Sequence, residues 1–471
     1  MIQLIVILYL LITIAISFWT KKKAGTAKHF EGNNLGLILC IVAGAGEWLG
    51  GTSTTGVSEY GYLYGISGAW YTVANSLGIC ILAIFFAKMF RRLNTPTVSG
   101  IIGKYIGKNA KMFSAGMLIF IMIAVGTSQM VAVGSLGESL FGMDATVSIL
   151  VLGVGILLYT CLGGMLAVGY TNILHLIVMY SGAILAAVLC LGDVGGFGSL
   201  TQNLPESYFS PISIGLPKVS SWVIASVLGA CTAQAGLQPV LTSKDESTAK
   251  KSTFGIAALV APFGILMALL GMIAKVKFPE LANAKLALPT LLLSLPTLPS
   301  GFVIASLCAA ILSTAAPIYL ACGTLFTRDI YQQLHPVEDA AHDKKILWIS
   351  RLTTMAGGAI CILLAILLRN STTILDLVYF AYSLRGSMFI ILLLGIFWKR
   401  LNPKAAIVAM LMTGLAGFFW IVYKNIFGAY PIHPDFSETY IAVLVAFVTC
   451  IVGSLLCRKN DQGRNYEKIS R

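Results

Sequence analysis

Along the chain, apolar residues come in runs of about twenty, separated by short polar segments. A run of that length crosses the hydrocarbon core of a bilayer. In hydrocarbon every backbone N–H and C=O must be satisfied within the segment, so the runs predict helices. A membrane barrel would show short segments of alternating polarity, and the pattern has none. Thirteen spans are predicted, at roughly 2–19, 35–56, 67–90, 112–135, 145–163, 170–191, 219–240, 253–274, 298–326, 347–368, 374–397, 405–424 and 439–457. The first run starts at Met1 and is followed by Lys21, Lys22 and Lys23. A cleaved signal peptide has the reverse order, so this run reads as a retained helix.

Two spans break the pattern. Span 2 reads AGAGEWLGGTSTTG over 43–56, with five glycines around the charged Glu47. Span 7 reads LGACTAQAGLQP over 228–239, with two glycines, Gln234, Gln238 and Pro239. If spans 2–6 and 7–11 are two five-helix halves, these are the first spans of each. The odd number of helices per half inverts one half relative to the other. Glycine and proline interruptions at matching places in two halves mark a transporter's midplane site. Close helix packing also uses glycine. For span 2 the carboxylate among the glycines favours an unwound segment; for span 7 both readings stand.

Composition agrees with the hydropathy. The chain is 57% hydrophobic and 11% charged, against about 25% charged in soluble proteins. The net charge of +13 does not signal nucleic acid, because the basic residues sit in short loops between spans. If the loop after span 1 is cytoplasmic, most of the 32 Lys and Arg fall inside. The positive-inside rule then puts the N-terminus outside and the C-terminus in the cytoplasm. The ten cysteines form no CxxC pair and lie in or beside apolar runs, as small buried residues do.

Four stretches resemble segments of a known family, the sodium:solute symporters. They are YTCLGGMLAVGYTNILH (159–175), QPVLTSKDESTAKKS (238–252), ASLCAAILSTAAPIYLACGTLFTRDIY (305–331) and LGIFWKRLNPKAA (394–406). They occur in the family's order over nearly the whole chain. The resemblance implies a LeuT-type core of inverted five-helix repeats. The division is then a first helix and loop over 1–34, repeats over 35–191 and 219–397, and two extra helices with a tail over 398–471. It also implies a sodium-coupled symporter that imports a small polar solute by alternating access, in the inner or plasma membrane. An amino acid, a carboxylate or a related metabolite would fit.

Sodium is a hard cation that takes oxygen ligands, and a broken membrane helix supplies free carbonyls. Carried over residue by residue, the resemblance implies a sodium site of backbone carbonyls at Gly46, Leu49 and Ala310 with hydroxyls of Ser313 and Thr314. The alternative is that both hydroxyls bond back to their own helix. A second sodium, seen in some family members, would use an Asp where this chain has Asn172, and hydroxyls where it has Ala316 and Pro317. One sodium per cycle is therefore expected.

Ionisable residues inside membrane spans are expensive and mark function by default. Glu47 and Arg385 are such residues, suited to an amine and a carboxylate respectively, or to pairing with each other. Trp48, Gln234, Gln238, Tyr60 and Tyr382 are expected to line the same cavity. The family's Gln-Arg pair at the end of span 7 is Gln238-Pro239 here, and its Gln at the end of the first stretch is His175.

Other classes fit less well. A channel would show a filter repeat. An enzyme would show clustered ligands or acids, and the five His make no HExxH. A transporter-like sensor would carry a larger cytoplasmic domain than this tail. Proton coupling through Glu47 is the nearest rival.

Overall fold

A computed structural model describes residues 1–21, 34–335, 340–369 and 374–457. Lys22, Lys23 and Lys28 of the first basic loop, and the tail from Arg458, lie outside the described residues. The described chain is helical, with one isolated bridge between Leu35 and Ser243.

Helix α1 (Ile2–Lys21) precedes α2 (Leu37–Trp48) and α3 (Val57–Tyr64). Next come α4 (Trp70–Ile81), α5 (Val98–Tyr105), α6 (Lys108–Phe141) and α7 (Ala145–Asp193). The chain goes on with α8 (Leu216–Ala230), α9 (Gln234–Leu241), α10 (Glu246–Lys277) and α11 (Thr297–Leu325). It continues through α12 (Ala340–Leu368) and α13 (Ile374–Phe397) to α14 (Pro403–Phe427) and α15 (Glu438–Leu456).

Among the described residues, ten helical segments are long and apolar enough to cross a membrane. Three further apolar segments that the hydropathy counts as spans are shorter: Ile2–Ile16, Leu37–Trp48 and Ala145–Leu158. The predicted spans 5 and 6 run into one another as α7, bent at Gly164 (φ 63°, ψ −166°). That backbone conformation is open only to glycine at low energy.

The core is the buried α11, which packs against α7, α6, α1 and α12. Its small residues Ala305, Ala309, Ala310, Ala315 and Ala316 are buried and let neighbouring backbones approach. The rim is the opposite. Leu8, Leu11, Phe418, Phe419 and Leu455 are exposed large apolar side chains, an apolar belt that suits lipid. Polar ends are capped in the usual way. Asp245 accepts the Thr248 N–H at 2.7 Å to start α10. That backbone bond holds its carboxyl below the usual range.

Both unusual spans are broken. Helix α2 stops where Leu49 leaves helical geometry (φ −106°, ψ 50°), and a π-turn at Thr52–Gly56 leads into α3. The freed Gly51 N–H is met by Gln129 Oε1 of α6 at 2.7 Å. Helix α8 ends at Ala230, and α9 begins at Gln234 after a short turn. Both glycine-bearing spans are therefore interrupted, and in span 7 Gly229 and Gly236 also pack closely, on Arg385 and on Trp48.

Candidate functional site

The break after α2 lies against the middle of α11. Thr314 Oγ1 donates to the Gly46 carbonyl at 2.5 Å, and Ser313 Oγ lies 3.2 Å from the same oxygen. Ser313 also bonds back to Ala310 O at 2.8 Å. The hydroxyl of Thr314 crosses to the broken helix, while that of Ser313 divides between the two partners. Gly46, Ala310, Ser313 and Thr314 are thus brought together as expected. Leu49 is buried at the break and donates its N–H to Ala45 O at 3.0 Å.

Asn172 of α7 joins this cluster. Its Nδ2 lies 3.4 Å from both Val42 O and Ser313 O. Its Oδ1 is buried without a hydrogen-bond partner among the described residues. The oxygens here are carbonyls, hydroxyls and an amide, the hard neutral donors that a monovalent cation takes. No cluster of His, Cys, Asp or Glu suited to a transition metal occurs among the described residues.

Gly50 holds this contact close. A Cβ built there would run into the Thr314 hydroxyl and sit 2.7 Å from Gln129 Oε1. Gly50→Ala is therefore expected to force the break away from α11. Its melting temperature should fall by several degrees, since a side chain forced into a packed contact costs about 1–3 kcal/mol. An unchanged melt would show that the approach is unimportant.

A second cluster lies one step along the break. Glu47 Oε1 pairs with Arg385 Nη2 of α13 at 3.4 Å, with both side chains essentially without solvent exposure. Ring faces surround the guanidinium, whose carbon is 4.6 Å from the Tyr382 centroid and 5.8 Å from that of Trp48. Such placements are favourable cation–π contacts. Tyr71 of α4 bonds the Tyr382 hydroxyl at 2.9 Å. The backbone O of Arg385 accepts from Thr232, in the break between α8 and α9, at 2.7 Å. Both breaks thus meet at this pair.

The remaining expected residues go elsewhere. Tyr60 accepts from Lys218 at 2.7 Å and packs on Trp222 with centroids 5.1 Å apart. Trp222 stacks on Tyr379 at 4.3 Å, and Tyr379 meets Tyr382 edge-on. These rings form a layer between the ion pair and a polar recess of about 250 Å³ lined by Lys218, Lys424, Asp435 and Glu438. On the opposite side Gln234 accepts the Val98 N–H at 2.8 Å and donates to Pro96 O at 3.2 Å. Gln238 reaches Thr324 of α11 at 3.4 Å, and Arg91 holds Ser243 O at 2.6 Å. Gln234 and Gln238 therefore tie helices together on the Arg91 face, and Tyr60 belongs to the Lys218 face. His175 pairs with Tyr9 of α1. Sequence reasoning missed Gln129, Tyr71, Trp222 and Tyr379. A lone amide in the apolar run around 129 was the one available signal; the aromatics look like ordinary packing until the helices are assembled.

A family model described as the sodium:solute symporter family matches residues 29–414. Among solved structures, the chain resembles a substrate-bound, outward-open Na⁺-coupled sialic acid symporter. The TM-score is 0.79 at 18% identity, over 97% of this chain and 98% of that one. It also resembles MhsT in complex with L-phenylalanine, with TM-score 0.59 at 17% identity over 89% and 99% of the two chains. A third is a nucleobase-cation-symport-1 family transporter in a closed conformation with bromovinylhydantoin bound, with TM-score 0.55 at 11% identity over 90% and 93%. At these identities the likeness shows the shared LeuT fold alone.

Proposed function

The chain belongs to the sodium:solute symporter family, and on that premise we propose that its coupling sodium binds where α11 meets the break after α2. The observation that carries this is the Thr314 hydroxyl reaching across to the Gly46 carbonyl. In the bound state both hydroxyls would turn their lone pairs to the ion. The carbonyls of Gly46, Leu49 and Ala310 and the hydroxyls of Ser313 and Thr314 form the ligand set we assign. One sodium per cycle follows from Asn172, Ala316 and Pro317, since a second site would have no carboxylate or hydroxyls there.

The sodium holds α2 in the conformation that completes the Glu47–Arg385 site for a small polar solute. The helical bundle then rocks relative to its scaffold, and sodium and solute leave on the cytoplasmic side. Coupling requires each to raise the affinity of the other. The neutral oxygens of Ser313, Thr314 and the Gly46 carbonyl support sodium over protons as the driver. We read thirteen crossings by adding the three shorter apolar segments to the ten long ones. The repeats are 35–191 and 219–397, the Arg91 face is cytoplasmic by its basic loops, and the lipid is that of an inner or plasma membrane.

The test is a thermal titration of the purified protein with NaCl against KCl and choline chloride at equal ionic strength. A ligand that binds only the folded state stabilises it by about 2.7 kcal/mol at a hundred times its Kd. Saturable stabilisation by sodium alone, with a single-site curve, is expected. Equal curves for all three salts would overturn the sodium site, and a two-site curve would overturn the stoichiometry.

A further inference from the structure

The Glu47–Arg385 pair is incomplete. One bond of 3.4 Å joins two fully buried charges. Glu47 Oε2 and Arg385 Nε and Nη1 have no hydrogen-bond partner among the described residues. A buried ion pair that serves only to brace helices is stable when its remaining donors and acceptors are satisfied. A half-satisfied buried network is unfavourable. Here the unsatisfied half belongs to both charges at once: one carboxylate oxygen and two guanidinium nitrogens.

The surroundings limit what could complete it. Gly236 of α9 brings its backbone close to the carboxylate; a Cβ there would lie 2.9 Å from Glu47 Oε2 and 2.7 Å from Trp48 Nε1. Trp48 and Tyr382 meet edge to face at 6.3 Å beside the guanidinium. The two charges of the pair are adjacent, 3.4 Å apart, so a ligand that meets both must carry its own charged groups close together.

We propose that this pair is the recognition site for a small zwitterion whose ammonium and carboxylate are one or two carbons apart. The inference rests on the transport reading and names its substrate class. The ammonium donates to Glu47, and the carboxylate accepts from Arg385. The unsatisfied groups select the class. Glu47 Oε2 needs a donor and Arg385 Nε and Nη1 need an acceptor. A plain carboxylate brings no donor for Glu47 and a plain amine no acceptor for Arg385, so each leaves one buried charge half-satisfied. A sugar or other uncharged solute would leave both charges half-satisfied. A long ω-amino acid would place its ends too far apart to meet adjacent partners.

The test uses the full chain in sodium buffer, read by thermal shift and by Trp fluorescence. The probes are a panel of free α-amino acids with β-alanine, the methyl ester and N-acetyl derivative of each α-amino acid, simple monocarboxylates, and sugars. At least one free amino acid should bind saturably. Its ester and its N-acetyl derivative should each bind at least about tenfold more weakly, the effect of one lost charge-assisted bond. Glu47→Gln with Arg385→Gln, which stays neutral, should keep its response to sodium alone and lose the response to the amino acid. The proposal is overturned if no amino acid binds, if a monocarboxylate or sugar binds instead, or if the double variant binds the amino acid as well as the parent does. Sodium stabilisation is read separately in every arm. It can therefore persist while the zwitterion assignment fails, or vanish while amino-acid binding persists.

Discussion

Replacing Ser313 and Thr314 together by alanine will remove the protein's response to sodium while leaving it folded. Both hydroxyls are buried, and both reach the Gly46 carbonyl. In the proposed site each hydroxyl–ion contact would be an interaction with a full charge, of the order of 1.5–3 kcal/mol. Losing two takes the apparent sodium affinity down by at least about a hundredfold. The fold should survive, since alanine fills α11 well and Gly46 O is the main acceptor left without a donor. The check is the NaCl titration with the double variant beside each single one. Thr314→Ala should do more than Ser313→Ala, because Ser313 shares its proton with Ala310 O. A double variant that still titrates like the parent would place the ion elsewhere.

Arg385→Met will destabilise the protein severely, and adding Glu47→Gln will restore most of the loss. Arg385 is fully buried and paired with Glu47. Methionine fits the space but strands a carboxylate in the core. Removing one member of a buried pair loses about 3–5 kcal/mol. Neutralising the survivor removes most of that penalty. The measurement is a thermal melt of the parent, both single variants and the double. Strong non-additivity is expected, with the double more stable than Arg385→Met alone. Additive losses would mean that the two charges do not depend on each other.

Much of this was legible in the chain. The apolar runs mark the helices because lipid forbids any other backbone arrangement. The glycines around Glu47 mark the break in α2, and SerThr at 313–314 marks its partner because that dipeptide stands alone in a run of small apolar residues. The assignment of the polar side chains was harder. Gln234 and Gln238 lie in a broken span and look like cavity residues, yet they face the 96–98 loop and α11. Their direction depends on where the turn between α8 and α9 leaves the helix, which no local pattern encodes. Tyr60 is displaced for a similar reason: the π-turn at Thr52–Gly56 re-aims α3, so its ring meets Lys218 and Trp222. The kink at Gly164 falls where hydropathy ends span 5, at 163; the pattern expects a loop there, and the chain makes the turn with one change of backbone angle instead.

In the transport cycle we propose, the ring layer of Trp222 and Tyr379 on one side and the Gln234 and Arg91 ties on the other would serve as two doors in series. A membrane that stores energy as an ion gradient tolerates such a carrier only if both doors are never open together. Their separation along the chain, with rings on α8 and α13 and ties at the 96–98 loop and Ser243, lets one yield while the other stays latched. Damage to one latch alone would turn a slow carrier into a steady drain on the gradient, felt by the cell as leak current before any solute was lost.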